Sequence, residues 1–419
     1  MSKPAPTVEI IATGSELLSG KRLNTNAEYL SQQLSALGFQ VIRHETLGDE
    51  RRPLLEALGR ALAETDLVIT TGGLGPTLDD ITRDVLSEAA GVALEHSEEA
   101  AEQIRQRFRQ VGKVMPELNL VQAQVPQTGG WFPNPNGTAP GLWFDLGERT
   151  AVALPGPPRE LNPMFEDRVL PLLAHRYHLS RKLLSKSLSI VAFGESNVEE
   201  ICRPLIQSAP ELTYSILARP GLVEVTLSRW VESDVEADAK LDEMHRRIGE
   251  LLGSVVFTTE RRSLEEVVGQ LLRSRGKTLV TAESCTGGLI GESITRVAGS
   301  SDYFLGGFIV YSNTMKVAQL GVNAALIEQQ GAVSAEVARA MAEGARKRSG
   351  ADYAVSITGI AGPSGGTPDK PLGLVFIAVA DEKRSMAREF RFFGSRDSVR
   401  ERSRVAALNQ LRQMLLVLI

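Results

Sequence analysis

Short apolar runs alternate with longer amphipathic segments over the first 175 residues of the chain. The runs at residues 8–14, 40–47 and 66–71 are typical of strands, whereas residues 24–37 and about 54–63 have the apolar spacing of helices. Strands that alternate with helices predict a mostly parallel sheet covered on both faces, which makes three layers. Ligands of such a domain are expected at the carboxyl ends of the strands.

The middle of the chain, from about residue 183 to 259, has a different order of elements. Its pattern predicts, in order, strand 184–192, helix 197–206, a hairpin of 212–217 with 222–230, helix 233–252 and strand 255–259. Residues 219–221, with the sequence Arg-Pro-Gly, supply the turn of the hairpin. This β-α-β-β-α-β order predicts a small split-βαβ domain.

From residue 263 onward an amphipathic helix at 264–272 introduces a second alternation of strands and helices. Helices are predicted at 289–297 and from about 395, and strands at 278–282, 304–311, 353–357, 373–380 and 388–393. The pattern therefore predicts an α/β protein with domains at 1–175, 176–260 and 261–419. A linker at 260–262 is predicted at the boundary between the last two domains.

Composition narrows the class of protein. A chain of 419 residues with 42% hydrophobic and 23% charged residues is expected to form two or three globular domains. Its two cysteines exclude a disulfide scaffold and a four-cysteine zinc site. The net charge of -5 argues against a nucleic-acid partner. The first residues have no apolar signal region and no run of about 18 apolar residues occurs, so a soluble cytoplasmic protein without a membrane partner is expected.

The most specific candidate chemistry follows the strand at 278–282. There the chain reads Ala-Glu-Ser-Cys-Thr-Gly-Gly (282–288), which leaves the hydroxyl of Ser284 and several backbone N–H groups at a helix N-terminus. All five histidines precede Ser284 and lie outside its predicted domain, so that domain offers no imidazole base. A lysine would have to serve instead, and Lys316 lies just past the next strand. Burial can lower the pKa of a lysine from about 10.4 toward 7 or 8 and make it a base. Cys285 is a rival nucleophile.

Three further segments of this part also end strands or begin a helix. Tyr311 ends a strand five positions before Lys316, and the turn at 356–363 offers backbone N–H groups and the Thr358 hydroxyl to an oxyanion. Arg396 and Arg400 form an i,i+4 pair at the start of the last helix, which is a good site for a phosphate. Taken singly, each of these features is more often a plain turn or a solvated surface.

Taken together, residues 282–288, 311–316, 357–363 and 393–396 resemble the C-terminal domain of the CinA family, some members of which deamidate nicotinamide mononucleotide (NMN). The resemblance implies that Ser284 attacks the carboxamide, with Lys316 as base, Tyr311 assisting proton transfer and Thr358 in the polar wall. Ammonia would leave, and water would release nicotinic acid mononucleotide without any cofactor. The residues expected to bind this substrate are Gly287, Gly288, Gly359, Gly362, Arg396 and Arg400.

A glycine-rich segment with acidic residues follows the third strand of the N-terminal part. Its sequence, residues 70–80, has three glycines that let the backbone approach a phosphate, and carboxylates beside a phosphate imply a divalent cation. One of Asp79 and Asp80 could instead be a helix cap. Residues 14–21 are no P-loop, because five residues separate the glycines and Arg22 stands in place of Ser or Thr.

With residues 13–16, 136–141 and 155–160, this segment resembles the molybdopterin-binding fold, but Leu74 stands where those enzymes carry Thr. With leucine at this position, the segment is similar to the N-terminal domain of CinA. That similarity implies metal-dependent hydrolysis of a nucleotide pyrophosphate such as ADP-ribose. The candidate ligands of the divalent metal are Glu16, Asp49, Asp79, Asp80 and Asp84. The candidate nucleotide-binding residues are Gly72, Gly73, Gly75, Thr77, Asn136, Gly137, Thr138 and Gly156.

The resemblance as a whole implies a bifunctional enzyme of pyridine-nucleotide salvage that acts on NMN and ADP-ribose. Two alternatives stay open. One is a non-catalytic scaffold in competence or the DNA-damage response, and the other is a molybdopterin-type transferase in the N-terminal half, which Leu74 weakens. The apolar end of the last helix, residues 414–419, predicts a homodimer.

Overall fold

The computed structural model of the protein describes residues 5–179, 181–232 and 235–417. The first part of the chain alternates strands and helices as its pattern predicts. Its elements are, in chain order, β1 (Thr7–Thr13), α1 (Ser15–Leu18), α2 (Thr25–Leu37), β2 (Gln40–Leu47), α3 (Arg51–Glu64), β3 (Leu67–Thr71), α4 (Thr82–Ala90), β4 (Leu94–His96), α5 (Glu98–Gln110), β5 (Gln124–Pro126), β6 (Gly129–Phe132), β7 (Gly141–Leu146), β8 (Arg149–Leu154), α6 (Pro158–Met164) and α7 (Leu170–Tyr177).

Six of these strands form one sheet in the order β2-β1-β3-β8-β7-β6. The pairs β1·β2, β1·β3 and β3·β8 are parallel, and β7 and β6 continue the sheet antiparallel. Separate apolar cores cover the two faces, one under α3–α5 and the other under α2, α6 and α7. The predicted three-layer fold with a mostly parallel sheet is therefore confirmed.

Local signals explain where the helices of this part begin and end. The Asn24 side chain accepts a hydrogen bond from the backbone N–H of Ala27 and so caps α2, which ends at Gly38 with φ 120°. Between the caps, Leu30 and Leu34 lie one turn apart and are both buried. The spacing that predicted the helix is thus the spacing that fills the core.

The middle part has the predicted β-α-β-β-α-β order. Its elements are β9 (Arg181–Val191), α8 (Glu195–Gln207), β10 (Thr213–Arg219), β11 (Leu222–Glu232), α9 (Ala239–Leu252) and β12 (Val256–Thr258). The four strands form a sheet in the order β10-β11-β9-β12, which is the arrangement of a split-βαβ fold. The helix predicted at 233–252 begins only at Ala239, and its first two predicted residues lie outside the described ones.

The C-terminal part alternates helices and strands around a five-stranded sheet. Its elements are α10 (Leu264–Ser274), β13 (Leu279–Glu283), α11 (Leu289–Thr295), β14 (Phe304–Ile309), α12 (Asn313–Leu320), α13 (Ala324–Gln330), α14 (Ala335–Ser349), β15 (Tyr353–Gly359), β16 (Leu374–Ala380), β17 (Ser385–Arg391) and α15 (Arg396–Leu415). The strands are ordered β14-β13-β15-β16-β17, the first three parallel and the last two antiparallel. One core lies under α10, α11 and α15 and another under α12–α14.

Some predicted bounds in this part are wrong. The strand predicted at 388–393 is β17, which begins at Ser385, because it pairs along the whole length of β16. The strand predicted to reach Tyr311 ends at Ile309, and the helix predicted to reach residue 297 ends at Thr295. Tertiary pairing and turns decide such ends more than local pattern does.

The last helix, α15, is packed inside its own part of the chain. Ser395 caps it, and its apolar side chains, among them Leu408, Leu411 and Met414, are buried in the core shared with α10. Of the residues that prompted the prediction of a homodimer, Met414 and Leu415 are buried within the chain, Leu416 and Val417 are exposed, and residues 418–419 lie outside the described ones. The homodimer itself stays a prediction.

The described residues divide into two compact units. The first runs to Leu184 and includes Trp230–Asp238, and the second comprises Ser185–Arg229 and the chain from Ala239 onward. The predicted bounds at 175 and 260 stay predictions. In the part of the chain that the structure describes, none of the helices combines the length and the apolar character needed to cross a membrane.

Candidate active sites

A tight turn presents Ser284 at the carboxyl end of β13. The backbone N–H of Ser284 still donates to the carbonyl of Ile357 (3.1 Å), which extends the pairing with β15 by one residue. The chain then turns through Gly287 and Gly288, whose φ angles of 61° and 100° suit glycine, and enters α11. The nucleophile candidate therefore lies between a central strand and a helix N-terminus, where the sequence predicts it.

Lys316 lies against Ser284. Its side chain, 1% exposed, projects from α12, and its Nζ is 3.1 Å from Ser284 Oγ. The same Nζ donates to the carbonyl oxygens of Val310 and Tyr311, each at 3.0 Å. Burial lowers the pKa of Lys316. Within the described residues no carboxylate pairs with this amine, so nothing offsets that effect strongly.

The three contacts of Lys316 suit an uncharged amine. Such an amine has two N–H bonds, which match the two carbonyl oxygens, and one lone pair, which can accept the hydroxyl hydrogen of Ser284. A base that accepts this hydrogen at about 3 Å can deprotonate the serine as it attacks. The geometry is therefore that of a nucleophile beside its general base.

Cys285, the rival nucleophile, lies in less favourable surroundings. Its side chain is 6% exposed, and burial raises the pKa of its thiol to about 12. The thiolate is the reactive form of cysteine, and a thiol with this pKa stays protonated near neutral pH. The surroundings favour Ser284 over Cys285.

Two backbone N–H groups directly after Ser284 are unpaired in the described residues. The N–H of Gly287 donates to the Ser284 carbonyl (3.1 Å), but the N–H groups of Cys285 and Thr286 have no acceptor among residues 5–179, 181–232 and 235–417. Unpaired donors next to a nucleophile can stabilise the negative charge that develops on a carbonyl oxygen under attack. They are candidates for an oxyanion hole.

Arg396 joins three of the predicted segments. At the start of α15, it donates to the carbonyl of Gly362 (2.8 Å) and to the hydroxyl of Tyr311 (3.3 Å), a side chain that is 61% exposed. No carboxylate of the described chain forms an ion pair with Arg396, so its charge can pair with a ligand. Arg400 differs, because it donates to the carbonyl of Thr286 (2.9 Å) and pairs with Asp397 (3.5 Å).

Thr358 and Gly359 lie at the end of β15. The Thr358 hydroxyl is buried and donates its proton to the carbonyl of Ala332 (2.8 Å), which leaves its lone pairs but not its proton for a ligand. A Cβ at Gly359 would lie 2.7 Å from the side chain of Val375 on β16, so only glycine fits there. The structure thus gives both residues a packing role beside the site.

A separate cavity of about 690 Å³ lies at the carboxyl ends of β1, β3 and β8. Two of its glycines are required by their surroundings, because a Cβ at Gly72 would lie 2.4 Å from the Thr13 carbonyl and one at Gly73 2.1 Å from Thr82. The predicted residues that line it are Glu16, Asp49, Gly72, Gly73, Gly75, Asp79, Asp80, Thr138 and Gly156. Asn136 and Gly137 line an adjoining cavity of about 250 Å³, which shares Thr138 with the first.

The carboxylates of this cavity are fixed by local hydrogen bonds. Asp80 accepts a bond from the N–H of Thr77 (2.9 Å), and the single proton of the Thr77 hydroxyl lies within reach of both Asp79 and Asp80, which lowers the pKa of Asp79. Asp49 accepts from the N–H (2.9 Å) and the hydroxyl (2.8 Å) of Ser15. Thr77, predicted to contact nucleotide, thus orients the two aspartates.

Asp84 lies apart from the other predicted metal ligands. It pairs with Arg83 (3.2 Å) and does not line the cavity. In the described residues no three His, Cys, Asp or Glu side chains come together as a cation site. Mg²⁺ is nevertheless commonly bound by one or two carboxylates, with phosphate oxygens and water as its other ligands. Asp79 and Asp80 fit such an arrangement.

Two polar residues of the cavity were missed from the sequence. Glu160, almost buried, lines both cavities, and its carboxylate accepts a bond from Asn134 (2.9 Å). Asn26 donates to Thr71 (2.8 Å) and to the carbonyl of Gly156 (2.7 Å) across the sheet end. Both residues lie in the first turn of a helix, Glu160 in α6 and Asn26 in α2, but Glu160 also belongs to the Pro/Gly-rich segment 155–160 after β8, which was a usable signal.

Comparisons with known proteins match both halves of the chain. Residues 261–415 match the family model described as the CinA C-terminal domain, and residues 9–175 match that of the molybdopterin binding domain. A competence-damage inducible protein of Caldicellulosiruptor saccharolyticus is 43% identical over 408 residues, which cover 97% of this chain and 99% of the relative. A CinA-like protein of Solibacter usitatus is 40% identical over 97% of both chains.

Solved structures are similar to part of the chain. The crystal structure of CinA from Thermoplasma acidophilum is 31% identical over 40% of this chain and 98% of its own, with a TM-score of 0.37.

Proposed function

Since the chain belongs to the CinA family, we propose that its C-terminal part hydrolyses the carboxamide of NMN to nicotinic acid mononucleotide and ammonia. The observation that carries this proposal is the 3.1 Å contact between Ser284 Oγ and the buried Nζ of Lys316. A buried amine without a carboxylate partner in the described residues is typical of functional sites. An activated serine and a base are what amide hydrolysis through an acyl-enzyme requires.

The first half of the reaction forms the acyl-enzyme. Ser284 Oγ attacks the carboxamide carbon while Lys316 takes the hydroxyl proton, and the carbonyl electron pair moves to oxygen. The N–H groups of Cys285 and Thr286 stabilise that oxyanion. As the oxyanion collapses, the C–N bond breaks and the proton on Lys316 passes to the nitrogen, so ammonia leaves and a serine ester remains.

The second half repeats these steps with water. Lys316, again neutral, takes a proton from water as its oxygen attacks the ester carbon, and the oxyanion forms against the same N–H groups. The C–O bond to Ser284 then breaks, and Lys316 returns the proton to the serine oxygen. Nicotinic acid mononucleotide is released, and both side chains are restored to their starting protonation states.

The direct test of this proposal is the assay of ammonia and nicotinic acid mononucleotide after incubation of the full chain with NMN. Equal amounts of the two products are expected. Formation of neither would contradict the proposal. Formation of nicotinamide instead would indicate cleavage of the glycosidic bond and would contradict it as well.

The phosphate of NMN is assigned to Arg396, whose charge has no carboxylate partner in the part of the chain that the structure describes. Arg396→Ala is expected to raise KM for NMN by about tenfold to a hundredfold with a smaller change in kcat, because a charge-assisted contact to the substrate is lost. Steady-state kinetics of ammonia release measures this split.

Arg402→Ala is the matched control, since Arg402 lies on the same helix and donates to Ser398 (3.3 Å) rather than to any residue of the site. Its KM should equal that of the wild type. An unchanged KM in Arg396→Ala would remove this arginine from the phosphate site.

A second candidate function belongs to the N-terminal part, and the observation that favours it is the glycine-lined cavity with Asp79 and Asp80 at its wall. We propose that this cavity binds a nucleotide pyrophosphate such as ADP-ribose and hydrolyses it with a divalent cation. Asp79 and Asp80 would hold the cation, which supplies charge neutralisation to the phosphates. The glycine backbone would approach those phosphates, and Thr77 keeps both aspartates oriented.

Removal of divalent cations by a chelator is expected to abolish ADP-ribose hydrolysis and to leave ammonia release from NMN unchanged. Asp80→Asn should lower the hydrolysis at least about tenfold, because an amide is a poorer ligand for a hard cation than a carboxylate. Asp84→Asn is the control and should stay near the wild-type rate, since Asp84 lies outside the cavity. Equal losses in both variants would contradict this assignment. The assay is release of AMP from ADP-ribose.

The two alternative functions have less support. A scaffold without catalysis leaves the buried amine of Lys316 against Ser284 unexplained. A molybdopterin-type transferase is disfavoured by Leu74, whose buried side chain stands where that activity calls for threonine.

A further inference from the structure

Glu283 is a buried carboxylate directly before the nucleophile candidate. It is the last residue of β13, and its side chain is 1% exposed. A buried carboxylate is costly unless hydrogen bonds or a cation compensate it. In the described residues no lysine, arginine or histidine pairs with Glu283. Its compensation must therefore come from hydrogen bonds.

Three backbone N–H groups supply those bonds. Both carboxylate oxygens point to the start of α11, and the donors are Gly288 (3.0 Å) and Ile290 (3.1 Å) to Oε2 and Gly291 (2.8 Å) to Oε1. Helix N-termini carry unpaired N–H groups and a partial positive charge, so they stabilise an anion. Glu283 thus caps the helix from a position that precedes the turn.

This cap closes the nucleophile turn on itself. The backbone of Glu283 belongs to the sheet, while its side chain holds Gly288 and Gly291 on the far side of the turn, so both ends of residues 284–287 are fixed relative to each other. Arg400 holds the carbonyl of Thr286 from a third direction (2.9 Å). The position of the Ser284 hydroxyl against Lys316 depends on this closure.

The cap also decides which N–H groups stay unpaired. Those of Gly288 and Gly291 are used by Glu283, and that of Gly287 by the Ser284 carbonyl. Those of Cys285 and Thr286 are left without an acceptor in residues 5–179, 181–232 and 235–417. Loss of the carboxylate would release three donors and let the turn rearrange.

We propose that Glu283 is a positioning residue for the amide hydrolysis: its carboxylate fixes the turn so that Ser284 faces Lys316 and the Cys285 and Thr286 N–H groups face the oxyanion. The inference rests on the proposed deamidation. Glu283 does not touch the substrate. It acts through the backbone, so it affects the barrier of the chemical step rather than substrate binding.

The test is the kinetics of ammonia release from NMN by Glu283→Gln and Glu283→Asp. Gln keeps the length but sets an NH₂ group against a backbone N–H, and Asp keeps the charge but is too short to span all three donors. Both are expected to lower kcat by about a hundredfold, with KM within about twofold of the wild-type value. The pH at which the rate falls should not move, because Lys316 is still the base.

Glu292→Gln is the matched control. Glu292 lies on α11, is half-exposed and pairs with Arg296 (2.6 Å), so the loss of its charge should leave kcat and KM unchanged. A Glu283 variant with wild-type kcat would overturn the proposal. So would a rise in KM at constant kcat, or a shifted pH profile, since these would assign Glu283 to the substrate or to the base.

A second measurement separates this inference from the choice of substrate. Phenylmethylsulfonyl fluoride labels an activated serine: the S–O bond forms, the S–F bond breaks and Lys316 takes the hydroxyl proton. Labelling of Ser284, followed by mass spectrometry, is expected to be at least about tenfold slower in Glu283→Gln than in wild type or Glu292→Gln. If NMN were not hydrolysed but labelling followed this order, the proposed substrate would fail and the role of Glu283 would stand. Equal labelling rates in folded variants would overturn that role.

Discussion

Replacement of Ser284 by alanine is expected to abolish ammonia release from NMN, with a fall in kcat of at least about a thousandfold. The reason is that Ser284 Oγ is the atom that contacts the base, and alanine leaves no group to form the ester. The loss should appear in kcat, while NMN binding, measured by calorimetry on the inactive variant, should persist because Arg396 is intact.

Cys285→Ala is the control for this experiment. Its thiol, with a pKa raised to about 12 by burial, is not expected to attack at neutral pH, so most of the activity should remain. Activity that survives in Ser284→Ala but disappears in Cys285→Ala would overturn the serine mechanism. The double variant should behave like Ser284→Ala.

Replacement of Lys316 by methionine is expected to have an effect of similar size, about a thousandfold in kcat. The five histidines all precede residue 261, so the C-terminal part has no imidazole base of its own, and Lys316 is the titratable side chain that contacts Ser284 Oγ in the described residues. Methionine fills a similar volume without the amine. Thermal unfolding of the variant should show an intact fold, and the assay is again ammonia release.

Two comparisons make the role of Lys316 specific. Lys316→Arg keeps a positive charge and N–H donors but cannot lose a proton, so it should be as inactive as Lys316→Met. In the wild type the rate should fall as the pH drops through the pKa of Lys316, which burial holds below its ordinary value, because only the neutral amine accepts the serine proton. Substantial activity of Lys316→Arg would show that the positive charge is sufficient and that a base is not needed. A rate independent of pH would contradict the role of the neutral amine.

The fold could be predicted well from sequence because its signals are local. The β-α-β-β-α-β order of the middle part and the turns that end β3 and β13 are written in apolar spacing and glycine placement. The approach of Ser284 to Lys316 follows as well, since side chains at the carboxyl ends of neighbouring parallel strands meet at one edge of the sheet.

What the sequence could not supply is the direction of individual side chains. Asp84 faces Arg83, and the Thr358 hydroxyl donates to Ala332, because the nearest partner in three dimensions decides each orientation. The role of Glu283 could not be predicted from the motif, since its three partners are backbone N–H groups whose positions depend on the turn. At the apolar end of α15, Met414 and Leu415 pack in the core shared with α10 whereas Val417 is exposed, a difference that the run of apolar residues alone does not reveal.

The burial of Lys316 also couples the folding equilibrium to proton concentration. The folded state disfavours the ammonium form, so the pKa of this lysine rises from its lowered folded value to about 10.4 on unfolding, and unfolding takes up a proton between the two values. The unfolded chain binds more protons in that window, and the free energy of unfolding contributed by this group therefore increases with pH. Below the window the contribution is a constant penalty. On the proposed mechanism the C-terminal part keeps this base at the expense of its own stability, and selection for resistance to heat alone would favour the replacement of Lys316.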